Sequence, residues 1–238
     1  MMLRPGLLVN DLDQIKNILV KDFAHFKDHT HDLNYKCDPL FSNLFSLKGD
    51  KWKKLRVKLT PTFTTSKMKY MFDSMNFCAT TMSEYLNDHL DWEGPQNVKD
   101  ILGKFTTDVI GCCAFGIECN SFKDPNSAFR QMGKKTMLLP THRAIYQFLS
   151  FFFPKLYIKL NVSILGKEIN DFYCNLAKNT VEYREKNNIR RKDFLQLLID
   201  LDKETPSDDN NNSTYFNSIS FFFTFTANSL FTLIGYKK

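Results

Sequence analysis

KGDKWKKLRVKLTPTF, from Lys48 to Phe63, decides how the rest of the chain reads. Trp52 and Arg56 stand four residues apart in a run that reads as helix, which puts their side chains on one face, one turn apart. Leu55 and Leu59 share that face, and Lys51, Lys54 and Lys58 point the other way. An indole N–H and a guanidinium fork aimed together at an apolar interior need an anionic acceptor, because a buried unpaired cation is costly. Taken alone, W-x-x-x-R also fits an ordinary basic helix with an amphipathic tryptophan. The helix is expected to stop at Thr60, since a residue before proline is pushed out of helical space.

Working outward, helical patterns dominate the 238 residues. Asp11 can cap a helix that carries Ile15, Ile18 and Leu19 on one face. Ser66 can cap a long one with Met68, Met71, Phe72, Met75, Ala79, Met82 and Leu86 as its inner stripe. Asn97 caps the next, with Ile101, Leu102, Phe105, Val109 and Cys112 inward and Gly116 at its C-terminal turn. A further helix starts after Pro125. Another carries Ile169, Phe172, Tyr173, Leu176 and Thr180, and Asp193 caps a short one through Leu201. Leu7–Val9 is the only good strand candidate, and no internal repeat is present.

Composition narrows the class. With 43% apolar and 24% charged residues the chain is globular in type. A net charge of +6 suits an acidic partner or an anionic membrane and is too modest to mark a nucleic-acid binder. Six irregularly spaced cysteines without a secretion signal argue for reduced thiols. Cys112 and Cys113 are neighbours on a helix and point about 100° apart, so they cannot serve one metal ion together. The start, MMLRPGLLVN, lacks the apolar core of a signal peptide.

Two stretches stand apart. YQFLSFFFPKLYIKL, Tyr146 to Leu160, is apolar but broken by Pro154, and too short to span a bilayer. From Asp202 to Thr214 the chain is polar, and from Ser213 to Tyr236 it carries no charge at all.

The string around Trp52 closely resembles the C-helix of the cytochrome P-450 monooxygenases, especially the insect family-6 type. FTTDVIGCCAFGIECNS, Phe105 to Ser121, is similar to that family's E-helix and following turn. LLVNDLDQIKNILVKDF, Leu7 to Phe23, resembles its early strand and B-helix, and VEYREKNNIRRKDFLQLLID, Val181 to Asp200, the end of helix G and helix H. The resemblance implies a mainly α architecture, a partial P-450 fold spanning helices B to H with little strand. It implies one catalytic domain over 1–202, a polar linker over 203–214, and a divergent uncharged tail over 215–238 that could be a broken start of helix I. Family members are roughly twice as long. The F-x-x-G-x-R-x-C loop that supplies the haem thiolate, the E-x-x-R pair and the membrane anchor have no counterpart here, so the C-terminal half is expected to be absent and the isolated chain to be marginal in stability.

What the resemblance implies for function is a haem-thiolate monooxygenase acting on lipophilic small molecules with O2 and electrons from NADPH through a cytochrome reductase. It places the family on the cytosolic face of the endoplasmic reticulum membrane; without the anchor, a cytoplasmic or peripheral location is the alternative for this chain. Haem would be the cofactor, with Trp52 and Arg56 on a propionate. Phe41, Leu44 and Phe45 fall where the family's first substrate-recognition loop sits. Lys51, Lys54 and Lys58, with Lys53 beside them, could dock the reductase or be solvated. Phe151, Phe152 and Phe153 fall in the membrane-dipping F–G region, within an apolar wedge that also draws on Phe148, Leu149, Leu156 and Tyr157; Lys155 and Lys159 reach the headgroups. The alternative is a non-catalytic helical fragment that associates with membrane or a partner protein.

Overall fold

A computed structural model of the chain describes residues 6–28, 32–89, 94–137 and 140–204. Among them the chain is helical, with no strand. The helices are α1 (Leu12–Lys16), α2 (Gly49–Leu59), α3 (Thr65–His89), α4 (Val98–Ile110), α5 (Ala128–Met137), α6 (Thr141–Phe152), α7 (Pro154–Leu160), α8 (Lys167–Asn187) and α9 (Phe194–Glu204). α1 widens into a π turn over Asn17–Lys21 and α4 into another over Gly111–Phe115. Leu7–Val9, expected as a strand, is irregular, with Leu7 and Leu8 almost fully exposed. Among the described residues no second strand lies beside it to complete a ladder.

Several helix starts follow from local chemistry. Asp11 accepts the Gln14 N–H at 2.9 Å, and Asn97 accepts the Asp100 N–H at 3.1 Å. Asp193 accepts the Gln196 N–H at 2.9 Å and opens α9, which runs past the expected Leu201 to Glu204. The proposed linker over 203–214 thus begins inside the last turn of α9; the rest of it, and the tail over 215–238, lie outside the described residues.

Two boundaries differ from expectation. Thr60 stays helical (φ −53°, ψ −42°), and the chain continues as a 3₁₀ turn over Thr60–Phe63. Pro61 sits in the first turn of that element, where its missing N–H is not needed, and the Thr60 hydroxyl returns to the Arg56 carbonyl at 2.7 Å. Ser66 lies within the first turn of α3 and does not cap it. Thr64 is the extended residue there, and its carbonyl takes the first helical bond from Met68 N–H.

The core gathers Leu55 and Leu59 of α2, Met71 of α3, Phe115 of the π turn, Ile169 and Tyr173 of α8, and Phe194 and Leu195 of α9. Phe115, Phe129 and Tyr173 meet edge to face at 5.4 and 5.9 Å. On α4 the expected stripe of Ile101, Leu102, Phe105, Val109 and Cys112 is only half-buried. The buried side chains are Lys104 and Asp108. Lys104 lies 4.7 Å over the Tyr85 ring and 3.5 Å from Asp100, which makes its burial tolerable. Asp108 takes the Ser121 N–H on both oxygens.

At the C-terminal end of α8, Arg184 and Asp193 form a fully buried bidentate pair at 2.6 and 2.9 Å. Arg184 also donates to the Phe115 carbonyl at 3.2 Å. Gly116 closes the π turn with φ +65°, and a Cβ built on it would collide with both members of the pair. Glycine is required there twice over, for its backbone and for its lack of side chain.

Candidate functional site

α2 carries Trp52 and Arg56, the residues expected to form the clamp. Leu55 and Leu59 are buried and fix the helix on the core. Trp52 is half-buried; it packs against the core cluster and lies 5.8 Å from the Phe23 ring. Arg56 is exposed one turn further on. The face expected to carry all four residues inward is therefore split. The leucines go in, the indole lies at the edge, and the guanidinium opens outward. Lys51, Lys53 and Lys54 are exposed as expected, whereas Lys58 is half-buried.

The arrangement fits an anionic group arriving from outside the described residues. Among those residues no acid pairs with Arg56, and the rim of α2 offers one indole N–H donor and one five-donor fork a single turn apart. A carboxylate such as a haem propionate matches that donor set. An iron ligand is a different matter. All six cysteines are free, and none stands in an F-x-x-G-x-R-x-C sequence. Burial pushes the Cys113 thiol up to about 12 and raises those of Cys119 and Cys174 as well, which keeps them protonated. Cys112 accepts a hydrogen bond from Cys78, which lowers its pKa and raises that of Cys78. Among the described residues no group of three or more His, Cys, Asp or Glu side chains could hold a metal ion.

The proposed substrate wall separates into three environments. Leu44 is in the core, Phe41 packs partly against it, and Phe45 is about half exposed. The loop is stiffened by Asn43, which is fully buried. Its amide donates to Leu40 O at 2.9 Å, and its Oδ1 accepts from Phe45 N–H at 3.0 Å and Ser46 N–H at 3.1 Å. Asn43 went unnoticed in the sequence; a lone asparagine in a Leu/Phe-rich loop is the signal that could have exposed it, because such a site tolerates a polar residue only when it bonds the backbone.

The apolar stretch over 146–160 folds as α6 and α7, hinged at Phe153 and Pro154. Phe148, Phe151, Phe153, Leu156, Ile158 and Leu160 are each about half exposed. Phe152 is half-buried, and Tyr157, expected in the wedge, is fully buried. Burial, with the nearby Asp38 carboxylate adding to it and the Asn34 backbone opposing it, pushes its hydroxyl pKa up to about 12. Lys155 and Lys159 are exposed among these apolar residues. No described helix is long and apolar enough to cross a membrane.

Comparison with known proteins agrees with the residues. The family model described as Cytochrome P450 matches residues 1–226. The chain is 42% identical over 198 residues to cytochrome P450 6A1 of Musca domestica, covering 83% of this chain and 39% of that protein. It is 44% identical over 203 residues to cytochrome P450 6a9 of Drosophila melanogaster, covering 85% and 40%. To cytochrome P450 6a2 of the same fly it is 39% identical over 203 residues, covering 83% and 40%. The chain thus spans about two-fifths of the length of these curated relatives. With a family model matching residues 1–226 and relatives about 40% identical over more than four-fifths of its length, the chain belongs to the cytochrome P450 family, whose cofactor is haem.

Proposed function

We propose that this chain forms the propionate-holding and membrane-facing part of a microsomal haem-thiolate monooxygenase that oxidises lipophilic small molecules. The carrying observation is the open Arg56 guanidinium one turn from the half-buried Trp52 on a helix pinned by Leu55 and Leu59. When bound, thiolate-ligated haem supplies O2 activation with NADPH-derived electrons. The residues here bind and orient. Trp52 and Arg56 hold a propionate, and Phe45, with Phe41 behind it, offers apolar surface to substrate. Lys51 and Lys54, with the half-buried Lys58 beside them, give α2 a basic rim for an acidic reductase surface. The exposed apolar residues of α6 and α7, Phe151 and Phe153 above all, rest in the lipid interface on the cytosolic face of the endoplasmic reticulum.

The test joins residues 1–202 to the C-terminal part of the housefly relative and compares haem content. Arg56→Ala should lose haem about 10- to 100-fold more readily, as expected for a charge-assisted bond of about 1.5–3 kcal/mol. Lys54→Ala should behave as the parent, and equal retention by both variants refutes the assignment. The 238-residue polypeptide by itself, having no thiolate loop in its sequence, should give neither a thiolate-type ferrous–CO spectrum nor NADPH-dependent oxidation.

The second reading, a non-catalytic helical fragment that associates with membrane or a partner, draws on the same exposed α6–α7 residues. Flotation with anionic liposomes in the absence of haem binding by the joined chain would favour it.

A further inference from the structure

The connector between α7 and α8 is held by a side chain from more than 120 residues earlier. Asp38 is fully buried. Its Oδ2 accepts the Ile164 N–H at 2.7 Å. Its Oδ1 accepts the Leu165 N–H at 3.2 Å, the Asn170 amide at 2.8 Å and the Ser163 hydroxyl. The Ser163 oxygen in turn accepts the Gly166 N–H at 2.6 Å, just ahead of α8. Among the described residues no cation pairs with Asp38. A buried carboxylate with no counter-ion persists only where several donors converge on it, and the N-terminal end of a helix adds to their field. Every one of these donors belongs to residues 163–170.

A second pair of contacts runs beside the first. The Asn34 amide donates to Asn161 Oδ1 at 2.9 Å, and the Cys37 thiol donates to the Asn161 carbonyl at 3.2 Å. Asn161 ends α7 in the left-handed region, φ +51°. The segment Asn34–Asp38 therefore grips the connector along its whole length, at the point where the α6–α7 hairpin joins the body. The hairpin is also tied by the Arg143 guanidinium on the Leu165 carbonyl, which ends on the same connector, and by the buried Ser150, Pro154 and Tyr157. On the near side of the grip, Asp38 leads directly into the 3₁₀ turn Pro39–Phe41, which opens the stiff loop ending at Leu47.

We propose that Asp38 is a clasp that fixes the α6–α7 hairpin against the loop carrying Phe41 and Phe45, and that opening this clasp lets the hairpin swing away from the loop. The clasp itself needs neither lipid nor haem, so it is tested without them.

The experiment uses the 238-residue chain and its Asp38→Asn variant, followed by amide hydrogen exchange and by trypsin cleavage after Lys155 and Lys159. Asparagine keeps the shape but removes the charge and turns one acceptor into a donor. Exchange at Ile164 and Leu165 should rise about tenfold or more, and cleavage should accelerate by a similar factor. Exchange across Leu195–Ile199 in α9 should not change. The proposal is overturned if connector exchange is unaltered, if α9 exchange rises by the same factor, or if the connector loosens without faster cleavage. Should Asp38→Asn not fold, Ser163→Ala removes one donor from the carboxylate and must show the same pattern at smaller size; unchanged connector exchange in that variant also overturns the clasp. Loss of the monooxygenase reading would leave all of these outcomes where they stand.

Discussion

The two ends of α8 bury a carboxylate each, and they do it by opposite means. At the C-terminal end Asp193 meets a guanidinium, Arg184, only nine residues away in sequence. At the N-terminal end Asp38 meets no cation and is surrounded by neutral donors more than 120 residues away. The first arrangement is an ion pair closed within a helix–turn–helix. The second joins two distant segments and contributes no charge of opposite sign. A buried ion pair contributes little net stability but is severely disrupted when one member goes. A neutral cradle loses its bonds one at a time.

The largest expected effect breaks the charged end. Arg184→Ala leaves Asp193 buried with only the looser Arg191 guanidinium, 3.9 Å away, as a cation, and should cost about 3–5 kcal/mol in chemical denaturation, a large share of the stability of an ordinary domain. A cost below about 1 kcal/mol would mean that Asp193 finds water there, and the contrast would fail. Next, Gly116→Ala should cost about 2–3 kcal/mol, since a left-handed non-glycine residue is strained and its Cβ must pry the same pair apart. A double variant with Arg184→Ala should then be sub-additive, because both changes damage one contact.

The neutral end should yield in smaller steps. Asn34→Ala removes one bond beside the clasp and should cost about 1 kcal/mol by the same denaturation measurement. An effect as large as that of Arg184→Ala would show that the two ends are equally cooperative. The smallest stability change is expected in the hairpin beyond the neutral end. Phe151→Ser and Phe153→Ser together with Phe152→Ser should shift the denaturation midpoint by little, because the first two rings are already half exposed, while reducing flotation with anionic liposomes. A triple variant that floats like the parent would move the lipid contact elsewhere.

Which parts of this could be read from residues alone follows the range of the interactions involved. Asp11, Asn97 and Asp193 were legible as caps because a cap bonds the backbone two or three positions on. The α8 stripe was legible because Ile169 and Tyr173, with Phe172 and Leu176 partly buried beside them, keep one period against one surface, although the buried Ala177 was not read as part of it. The α4 stripe misled because its apolar residues suggested the inner face, whereas the inner face is set by Tyr85 and Phe122, rings that welcome the Lys104 ammonium. Trp52 and Arg56 were found together, but spacing along a helix cannot say that Arg56 would open outward. Asp38 was invisible, because nothing near it in sequence shows that Ser163, Ile164 and Leu165 converge there.

The widened turn at Gly111–Phe115 bears on how the chain can vary. An α-helix rotates about 100° per residue, so three successive side chains fan across its surface and one of them ordinarily reaches solvent. Here Cys113, Ala114 and Phe115 are all buried, closed in by Met71 of α3 on one side and by α9 on another. Gly111 and Gly116, at the two ends, have no room for a side chain. This short stretch therefore has almost no neutral drift available to it. Insertions, deletions and polar replacements that the lysine-rich surface of α2 would absorb are closed off here, and a library of single substitutions should find this turn among the least forgiving positions of the described chain.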